Sequence, residues 1–458
     1  MRAMQQSRVA ANGLDGARRR MAVLTCTLGV LFTVMDGVIA AVALPTIAQD
    51  LGVDAALSVW VVNAYQLAVV MALLPFAALG EIVGYRRVYL AGLCLFAFAA
   101  LCSALAPSLL LLTVARALQG LAAAGVLSVN LALLRYSVPR ELFGRAIGVN
   151  ATVAALASTI APIAASVILA LGSWHWLFAI GVPGAAAAAA LGWRALPHSD
   201  RRDVRVDGIS ALLSAATFGA GMLTIVNVSH GLGMVAVLLP LAVALACGTV
   251  LVRRLRHDAA PLLPLDLLRI PIFRLSVLTS LCSFCAQMLA FVGLPFYFQL
   301  VLGFNAVDAG LMLSPWPLML ACTATFAGRL ADRHPAGVLG AAGMAILCVG
   351  MLALALLPTA TSITSVLLPM ALCGLGFGLF QPANNRAMIG AAPQTRSGAA
   401  SGMLGTARLL GQSAGAAVVA FLLHAFGTAG ALASVYVGAG FALLAALVSM
   451  SRIRTGSR

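Results

Sequence analysis

Residues 31–48 read LFTVMDGVIAAVALPTIA and place one carboxylate, Asp36, in the middle of an apolar run. A run of this length can cross the hydrocarbon core of a bilayer as a helix. An ionised carboxylate at the centre of such a helix costs about 2.5–3.5 kcal/mol on insertion scales. Residues of this kind usually face a polar cavity and mark the path of an ion or a substrate. Asp36 therefore predicts a membrane protein with a functional site in its interior.

The rest of the chain has the composition of an integral membrane protein. Of its 458 residues, 62% are hydrophobic and 9% are charged, and the mean hydropathy is +1.04. Soluble domains carry about 25% charged residues. Apolar runs of spanning length predict an all-α membrane protein with fourteen transmembrane helices. The predicted spans are residues 22–44, 57–79, 88–106, 109–133, 146–171, 174–193, 208–228, 233–252, 275–299, 306–326, 337–357, 364–385, 398–423 and 429–450.

The arginines set the orientation of these spans. Every basic residue is Arg, and the formal net charge is +15. Apart from Arg116 and Arg408, the arginines lie before the first span, in alternate gaps between spans, or after the last span. The positive-inside rule then predicts a multi-pass protein of the cell (inner or plasma) membrane with both termini in the cytoplasm. The basic charge is explained by topology, so no nucleic-acid partner is predicted.

Nothing in the sequence predicts an enzyme. The gaps between spans are too short for a catalytic domain, and the chain has no GxxxxGK[ST] phosphate-binding loop. The nine cysteines lie in apolar spans, where they act as small hydrophobic residues. Cys282 and Cys285 form a single CxxC in a helical run, with no second pair to complete a metal site. The predicted metal and cofactor content is therefore none.

An internal repeat divides the chain into two halves. AGRLADR at residues 327–333 resembles ALGEIVGYRR at residues 78–87, and the two stretches are eight predicted spans apart. Internal repeats of six spans are common in secondary transporters, so two spans are predicted to be inserted between the halves. The predicted organisation is an N-terminal arm at 1–21, a six-helix half at 22–193, a linker with two extra helices at 194–274, a second half at 275–450 and a tail at 451–458.

The stretch MDGVIAAVALPTIAQDLG, which begins at Met35, resembles the first-span signature of the fourteen-span drug:proton antiporters in the major facilitator superfamily. The resemblance covers residues 20 to 450. It implies the major facilitator fold, with two six-helix halves plus two inserted linker helices. It also implies a monomeric multidrug efflux transporter that exports lipophilic, cationic drugs by alternating access and draws its energy from the proton gradient. The implied partners are a small-molecule substrate, protons and the lipid bilayer.

The repeated stretches also resemble the family's interspan motif, in which a carboxylate and a guanidinium latch neighbouring helices in one conformation. Glu81 stands where the motif has Asp, and the second copy is fuller. The alternative is that these arginines only set the topology. The residues assigned to a cytoplasmic gate are Glu81, Gly84, Arg86, Arg87, Gly328, Asp332 and Arg333.

Two further motifs lie inside predicted spans. Arg116, Gln119 and Gly120 match the family's R-x-x-Q-G motif, and an Arg within a span must be paired or hydrated. Proton coupling is assigned to Asp36 and Arg116, although the sequence leaves open whether the two side chains touch. Pro162 matches the proline of the antiporter motif and is predicted to bend its helix, with Ala and Ser at the motif's glycine positions.

Polar and aromatic residues within the spans are candidates for the substrate cavity, where aromatic faces and amides suit flat lipophilic cations. Each has interhelical packing as its alternative role, and Arg408 is either a structural tie or a cavity charge. The candidates are Asn63, Tyr65, Gln66, Gln119, Asn130, Asn150, Gln287, Phe296, Tyr297, Trp316, Gln381 and Arg408.

Two other functions remain open at this point. One is a dedicated exporter of a single metabolite, such as an antibiotic made by the same cell. The other is a membrane sensor or assembly factor that transports nothing. An Asp36→Asn change is expected to leave folding intact and to stop proton-linked efflux.

Overall fold

Helices account for almost all of the described residues, because a spanning segment must satisfy its backbone hydrogen bonds internally. A computed structural model describes residues 14, 16–197, 208–229, 233–255, 265–330, 334–358, 362–392 and 397–456. The helices in these ranges are α1 (Gly16–Asp50), α2 (Ala55–Ser58), α3 (Trp60–Val83), α4 (Tyr85–Ala104), α5 (Leu109–Ser137), α6 (Arg140–Leu171), α7 (His175–Ala179), α8 (Gly181–Ala195), α9 (Gly208–Ser229), α10 (Met234–Leu255), α11 (Pro271–Phe296), α12 (Ala306–Leu313), α13 (Pro315–Leu330), α14 (Ala336–Ala355), α15 (Ile363–Ala391), α16 (Ser397–Phe426) and α17 (Ala429–Gly456).

The all-α membrane prediction is confirmed. Within the described ranges, twelve helices are long and apolar enough to cross a membrane. Two shorter apolar stretches, Leu156–Leu171 and Gly208–Thr224, coincide with the fifth and seventh predicted spans. Fourteen spanning helices therefore remain a prediction.

Short breaks interrupt four of the predicted spans. Val59 separates α2 from α3, Ile180 separates α7 from α8, and Ser314 separates α12 from α13, which begins at Pro315. The helix α11 continues after Pro295 as a π-helical turn, Tyr297–Val301. Proline removes a backbone donor, which accounts for the changes at Pro295 and Pro315.

The helices pack as two halves with an added pair. In the first half, α5 packs on α3 and α4, while α1 packs on α6 and α8. In the second half, α14 packs on α15 and α17, while α11 packs on α16 and α17. The helices α9 and α10 pack on each other, and α9 also contacts α3 of one half and α16 of the other.

The two ends of the bundle differ in how the halves meet. We call the end that holds α1's first turns and the α3–α4 connection the arginine-rich end, and the opposite end the arginine-free end. One buried cluster joins Ile47 and Trp174 of the first half with Phe298 and Leu313 of the second half at the arginine-free end. At the arginine-rich end, a separate cluster lies entirely within the first half, and another joins the second half to α9 and α10. The halves thus share a core at the arginine-free end.

One close approach between the halves involves a glycine. A Cβ added to Gly310 of α12 would lie 2.1 Å from Ser166 Oγ, 3.0 Å from Pro162 O and 3.2 Å from Val42 Cγ1. Both Pro162 and Ser166 are on α6, and Val42 is on α1. A side chain at residue 310 would therefore push α12 away from the first half.

The last helix extends beyond its predicted boundary. The predicted tail begins at residue 451, whereas α17 continues to Gly456 and Arg452 is only 5% exposed. Arg452 Nη1 donates to Asn384 Oδ1 at 2.7 Å and to Ser276 Oγ at 3.0 Å, and Nη2 donates to Ser449 Oγ at 2.5 Å. Asn384 Nδ2 in turn donates to Ser280 Oγ at 2.7 Å. Arg452 therefore ties α17 to α11 and α15.

Replacing Arg452 with Ala is expected to destabilise the second half. The change leaves the buried amide oxygen of Asn384 without its donor, and an unsatisfied buried polar group costs about 1–3 kcal/mol. Thermal unfolding of the detergent-solubilised protein should show a lower Tm for this variant. Arg135→Ala is the control, because Arg135 is exposed in the last turn of α5. Equal Tm values for the two variants would contradict a structural role for Arg452.

Candidate functional site

The centre of the first half contains a buried ion pair. Arg116 Nη1 of α5 lies 2.5 Å from Asp36 Oδ2 of α1. Arg116 is fully buried and Asp36 is 6% exposed. The contact that the sequence left open is therefore present, and two charges that would each be costly in the membrane compensate each other.

Gln119 completes the coordination of the carboxylate. Its Nε2 donates to Asp36 Oδ1 at 2.9 Å, and its Oε1 accepts from Arg116 Nη1 at 2.8 Å. Ser103 Oγ of α4 donates to the same Oε1 at 3.4 Å. Both carboxylate oxygens thus have a donor, and Asp36, Arg116 and Gln119 form a closed ring, which we call the triad. Sequence analysis placed Gln119 in the cavity, whereas the structure buries it in the triad.

Aromatic rings enclose the guanidinium. The Cζ of Arg116 lies 4.5 Å from the centroid of the Tyr65 ring and 5.3 Å from that of Phe178, both within range for cation–π attraction. Arg116 Nε donates to the carbonyl of Val61 at 3.2 Å. The Tyr65 hydroxyl donates to the carbonyl of Thr33 at 3.0 Å, which links α3 to α1 beside the ion pair. Arg116 Nη2 makes no hydrogen bond with the described residues.

The spacing of the R-x-x-Q-G motif explains this arrangement. Residues three apart lie on one face of a helix, so Arg116 and Gln119 both reach the carboxylate on α1. Gly120 follows at the contact between α5 and α3. A Cβ there would lie 2.3 Å from the Tyr65 carbonyl oxygen and 2.9 Å from Ala68 Cβ. Glycine therefore allows the two helices to come close enough for Tyr65 to cover Arg116.

The gate residues predicted in the first motif copy lie at the arginine-rich end, where α3 meets α4. Gly84 connects α3 to α4 with φ of +103°, a conformation that favours glycine. Arg86 Nη2 donates to the carbonyl of Trp193 in α8, while Arg87 is exposed and Glu81 is half-buried. In the second copy of the motif, Gly328 is in α13, and Asp332 and Arg333 lie outside the described residues. The gate role stays a prediction.

Pro162 lies in the last third of α6, which runs as one helix from Arg140 to Leu171. Ser166 Oγ donates to the Pro162 carbonyl at 2.9 Å, and Gly310 packs against this same turn. The predicted bend residue is therefore part of the contact between the halves. No sequence motif pointed to Gly310, because its importance depends on which helix faces it.

The predicted cavity residues differ in their surroundings: some are packed in the core, and others have polar atoms without a partner among the described residues. Phe296, Tyr297 and Trp316 are packed in the core of the second half, and the Tyr297 hydroxyl donates to the carbonyl of Leu354 at 3.1 Å. Three amides are buried or half-buried, and their side-chain oxygen accepts no hydrogen bond from a described residue: Asn63, Asn130 and Asn150.

Of the remaining candidates, Gln66 is buried, while Gln287 and Gln381 are half-buried. Arg408 is exposed although it lies in the middle of α16. Tyr65, which sequence analysis placed in the cavity, is buried against the triad.

The chain is similar to known transport proteins in sequence and in fold. The family model of the Major Facilitator Superfamily matches residues 26–416. The "Uncharacterized transporter YebQ" of Escherichia coli is 48% identical over 448 residues, which cover 97% of this chain and 98% of that protein. The "Multidrug efflux pump LfrA" of Mycolicibacterium smegmatis is 29% identical and covers 89% of this chain, with 82% of its own length matched. The crystal structure of the peptide transporter POT in complex with sulfate superimposes with a TM-score of 0.73 at 15% identity, covering 98% of each chain.

A Gly120→Ala change is expected to disturb the triad through a single methyl group. The added Cβ would overlap the Tyr65 carbonyl, and overpacking of a well-filled site costs about 1–3 kcal/mol. A lower Tm of the purified protein is the expected result. Gly440→Ala in α17 is the matched control, because a Cβ there meets nothing within 4 Å. If both variants keep the wild-type Tm, the close approach of α5 to α3 is not needed.

Proposed function

The chain belongs to the major facilitator superfamily, and from that premise we propose that it exports lipophilic small molecules from the cytoplasm in exchange for protons, by alternating access. It is a transport protein and not an enzyme. The proposal of efflux is supported by the similarity to a multidrug efflux pump. The proposal of proton coupling depends on one observation, the buried triad of Asp36, Arg116 and Gln119.

The triad provides a physical reason for coupling. When Asp36 is ionised, it neutralises Arg116 and fixes α1 against α5. A proton on Asp36 removes that negative charge and leaves a buried guanidinium uncompensated. Loss of one partner of a buried ion pair costs about 3–5 kcal/mol, so protonation favours a rearrangement in which Arg116 finds water or another acceptor. Proton binding and helix movement are thus linked, and each affects the other by the same free energy.

The packing of the two halves supports alternating access. The halves share a buried core at the arginine-free end and have separate clusters at the arginine-rich end. With the orientation predicted from the arginines, the arginine-rich end is cytoplasmic and the state described here is open toward the cytoplasm. Cargo would enter in this state, and the motif copies at 78–87 and 327–333 would latch the same end when it closes.

The number of spans, the topology, the membrane and the oligomeric state are proposed from the family resemblance. We propose fourteen spans with both termini in the cytoplasm, in the cell membrane, and a monomer as the functional unit. No cofactor takes part, because the proton gradient supplies the energy. A membrane potential adds about 2.3 kcal/mol for each charge moved through 100 mV.

Asp36→Asn is expected to stop proton-linked transport. Asparagine keeps the size of the side chain and its contact with Gln119, but it cannot gain or lose a proton. Inverted membrane vesicles that contain the variant should release no protons when a lipophilic substrate is added. Asp308→Asn, which removes an acid near the start of α12, is the control and should behave as the wild type. Normal substrate-driven proton release by Asp36→Asn would refute the mechanism.

A paired variant separates coupling from stability. The sequence alone predicts that Asp36→Asn folds normally, whereas the structure shows that it leaves Arg116 as a buried charge without its carboxylate. Asp36→Asn with Arg116→Gln removes both charges and should regain much of the Tm that the single variant loses. Recovery of Tm without recovery of transport is the expected outcome.

Testing dyes and disinfectants as substrates in the same vesicles distinguishes a broad exporter from one dedicated to a single metabolite.

A further inference from the structure

A second arginine lies within the membrane on the opposite half of the protein. Arg408 is in α16, eleven residues from its start at Ser397 and eighteen from its end at Phe426. Its side chain is exposed, whereas Arg116 is fully buried. An arginine at such a depth is costly unless it faces water, an acceptor or a ligand.

The neighbours of Arg408 on its own helix show which way it faces. Successive residues of a helix are about 100° apart. On one side, Leu409 packs into the buried cluster that contains Tyr65 and Val69 of α3. On the other side, Gly411 packs so closely on α11 that an added Cβ would lie 2.6 Å from the Leu281 carbonyl oxygen. Arg408 therefore lies on the face of α16 between α3 of one half and α11 of the other.

This face of α16 is open and polar. Gln412 is one turn beyond Arg408 on the same face and is half-buried. Gly405 is one turn before it, and a Cβ added there would meet nothing within 4 Å. Leu409 belongs to the buried cluster that extends from Tyr65 to Val70 of α3. Ala417, nine residues after Arg408 in α16, packs with Trp60 and Leu67, which flank the triad's contacts at Val61 and Tyr65. At a rise of 1.5 Å per residue, Arg408 lies about 13 Å from the level of the triad, toward the arginine-rich end. The space between the halves thus has an accessible guanidinium between the triad and that end.

Among the described residues of its own half, Arg408 has no carboxylate to pair with. Between residues 271 and 456 the only acidic residues are Asp308 and Asp332. Asp308 is at the arginine-free end, at the start of α12, and Asp332 lies outside the described residues. The deep carboxylate of the first half, Asp36, already accepts from Arg116 and Gln119. The positive charge of Arg408 is therefore left uncompensated by the described residues.

We propose that Arg408 binds an anionic group of the cargo, such as a carboxylate or a phenolate, and that the preferred substrates are lipophilic anions. The inference rests on the proposed function, since it assigns the charge of the molecule that is exported. Asp36, Arg116 and Arg408 together carry one net positive charge when Asp36 is ionised. A lipophilic cation would meet that charge, while both oxygens of the one deep carboxylate are already occupied. Anionic cargo thus replaces the cationic cargo expected from the family resemblance.

Binding of three probes that differ only near one end tests the proposal. Dansylglycine carries a carboxylate, dansylglycinamide is its neutral amide, and dansylcadaverine is a cation. Their fluorescence in the presence of the purified protein gives a Kd for each without any proton gradient. The expected result is at least about tenfold tighter binding of dansylglycine than of dansylglycinamide, as for a hydrogen-bonded charge pair. Equal Kd values for the two, or tightest binding of dansylcadaverine, would overturn the proposal.

Variants of Arg408 identify the residue responsible. Arg408→Gln should abolish the preference for dansylglycine and leave the Kd of dansylglycinamide unchanged, and Arg408→Lys should retain part of the preference. Arg135→Gln, which removes an exposed charge at the arginine-rich end, should bind all three probes as the wild type does. A preference that survives in Arg408→Gln, or equal weakening of all three probes, would also overturn the proposal. Because binding is measured at equilibrium, failure of proton coupling in the vesicle experiments leaves this test intact.

Discussion

The pairing of Asp36 with Arg116 is the constraint on which the centre of this protein depends. Two charges in an apolar interior are tolerated only when each satisfies the other and their remaining hydrogen-bonding groups find partners. That requirement accounts for Gln119 on the second carboxylate oxygen, for the Val61 carbonyl on Nε and for the Tyr65 ring over the guanidinium. It also accounts for Gly120, because the helices must approach closely for these contacts to form.

Sequence alone predicts much of this centre but not its geometry. The depth of Asp36 and Arg116 follows from the length of their apolar runs, and their common need for a partner follows from the cost of an isolated charge. Which partner each one has depends on the rotation of α1 against α5, which hydrophobic periodicity does not determine in helices that are apolar on most faces. For the same reason Gln119 resembles any other polar residue in a span until the ring that it closes is seen.

The ends of helices were harder to predict than their existence. Arg452 follows an apolar run and resembles the other arginines that set the orientation, yet it is buried among Asn384, Ser276 and Ser449. Arg116 and Arg408 show the converse. Both stand inside spans and are equivalent in sequence, but one is enclosed by a carboxylate and two rings and the other is exposed. In each case the difference comes from residues far away in the chain.

The position of α9 breaks the symmetry between the two sides of the bundle. Met222 of α9 packs with Trp60 and Leu67 of α3 and with Ala417 of α16, so α9 covers the seam where these two helices meet. The opposite seam, where α6 meets α12 and α13, has no such cover among the described residues. A molecule dissolved in the lipid leaflet therefore meets α9 at the seam between α3 and α16, and meets the seam between the two halves directly at α6. If the halves part, the α6 seam is the one of these two that the described residues leave uncovered toward the bilayer.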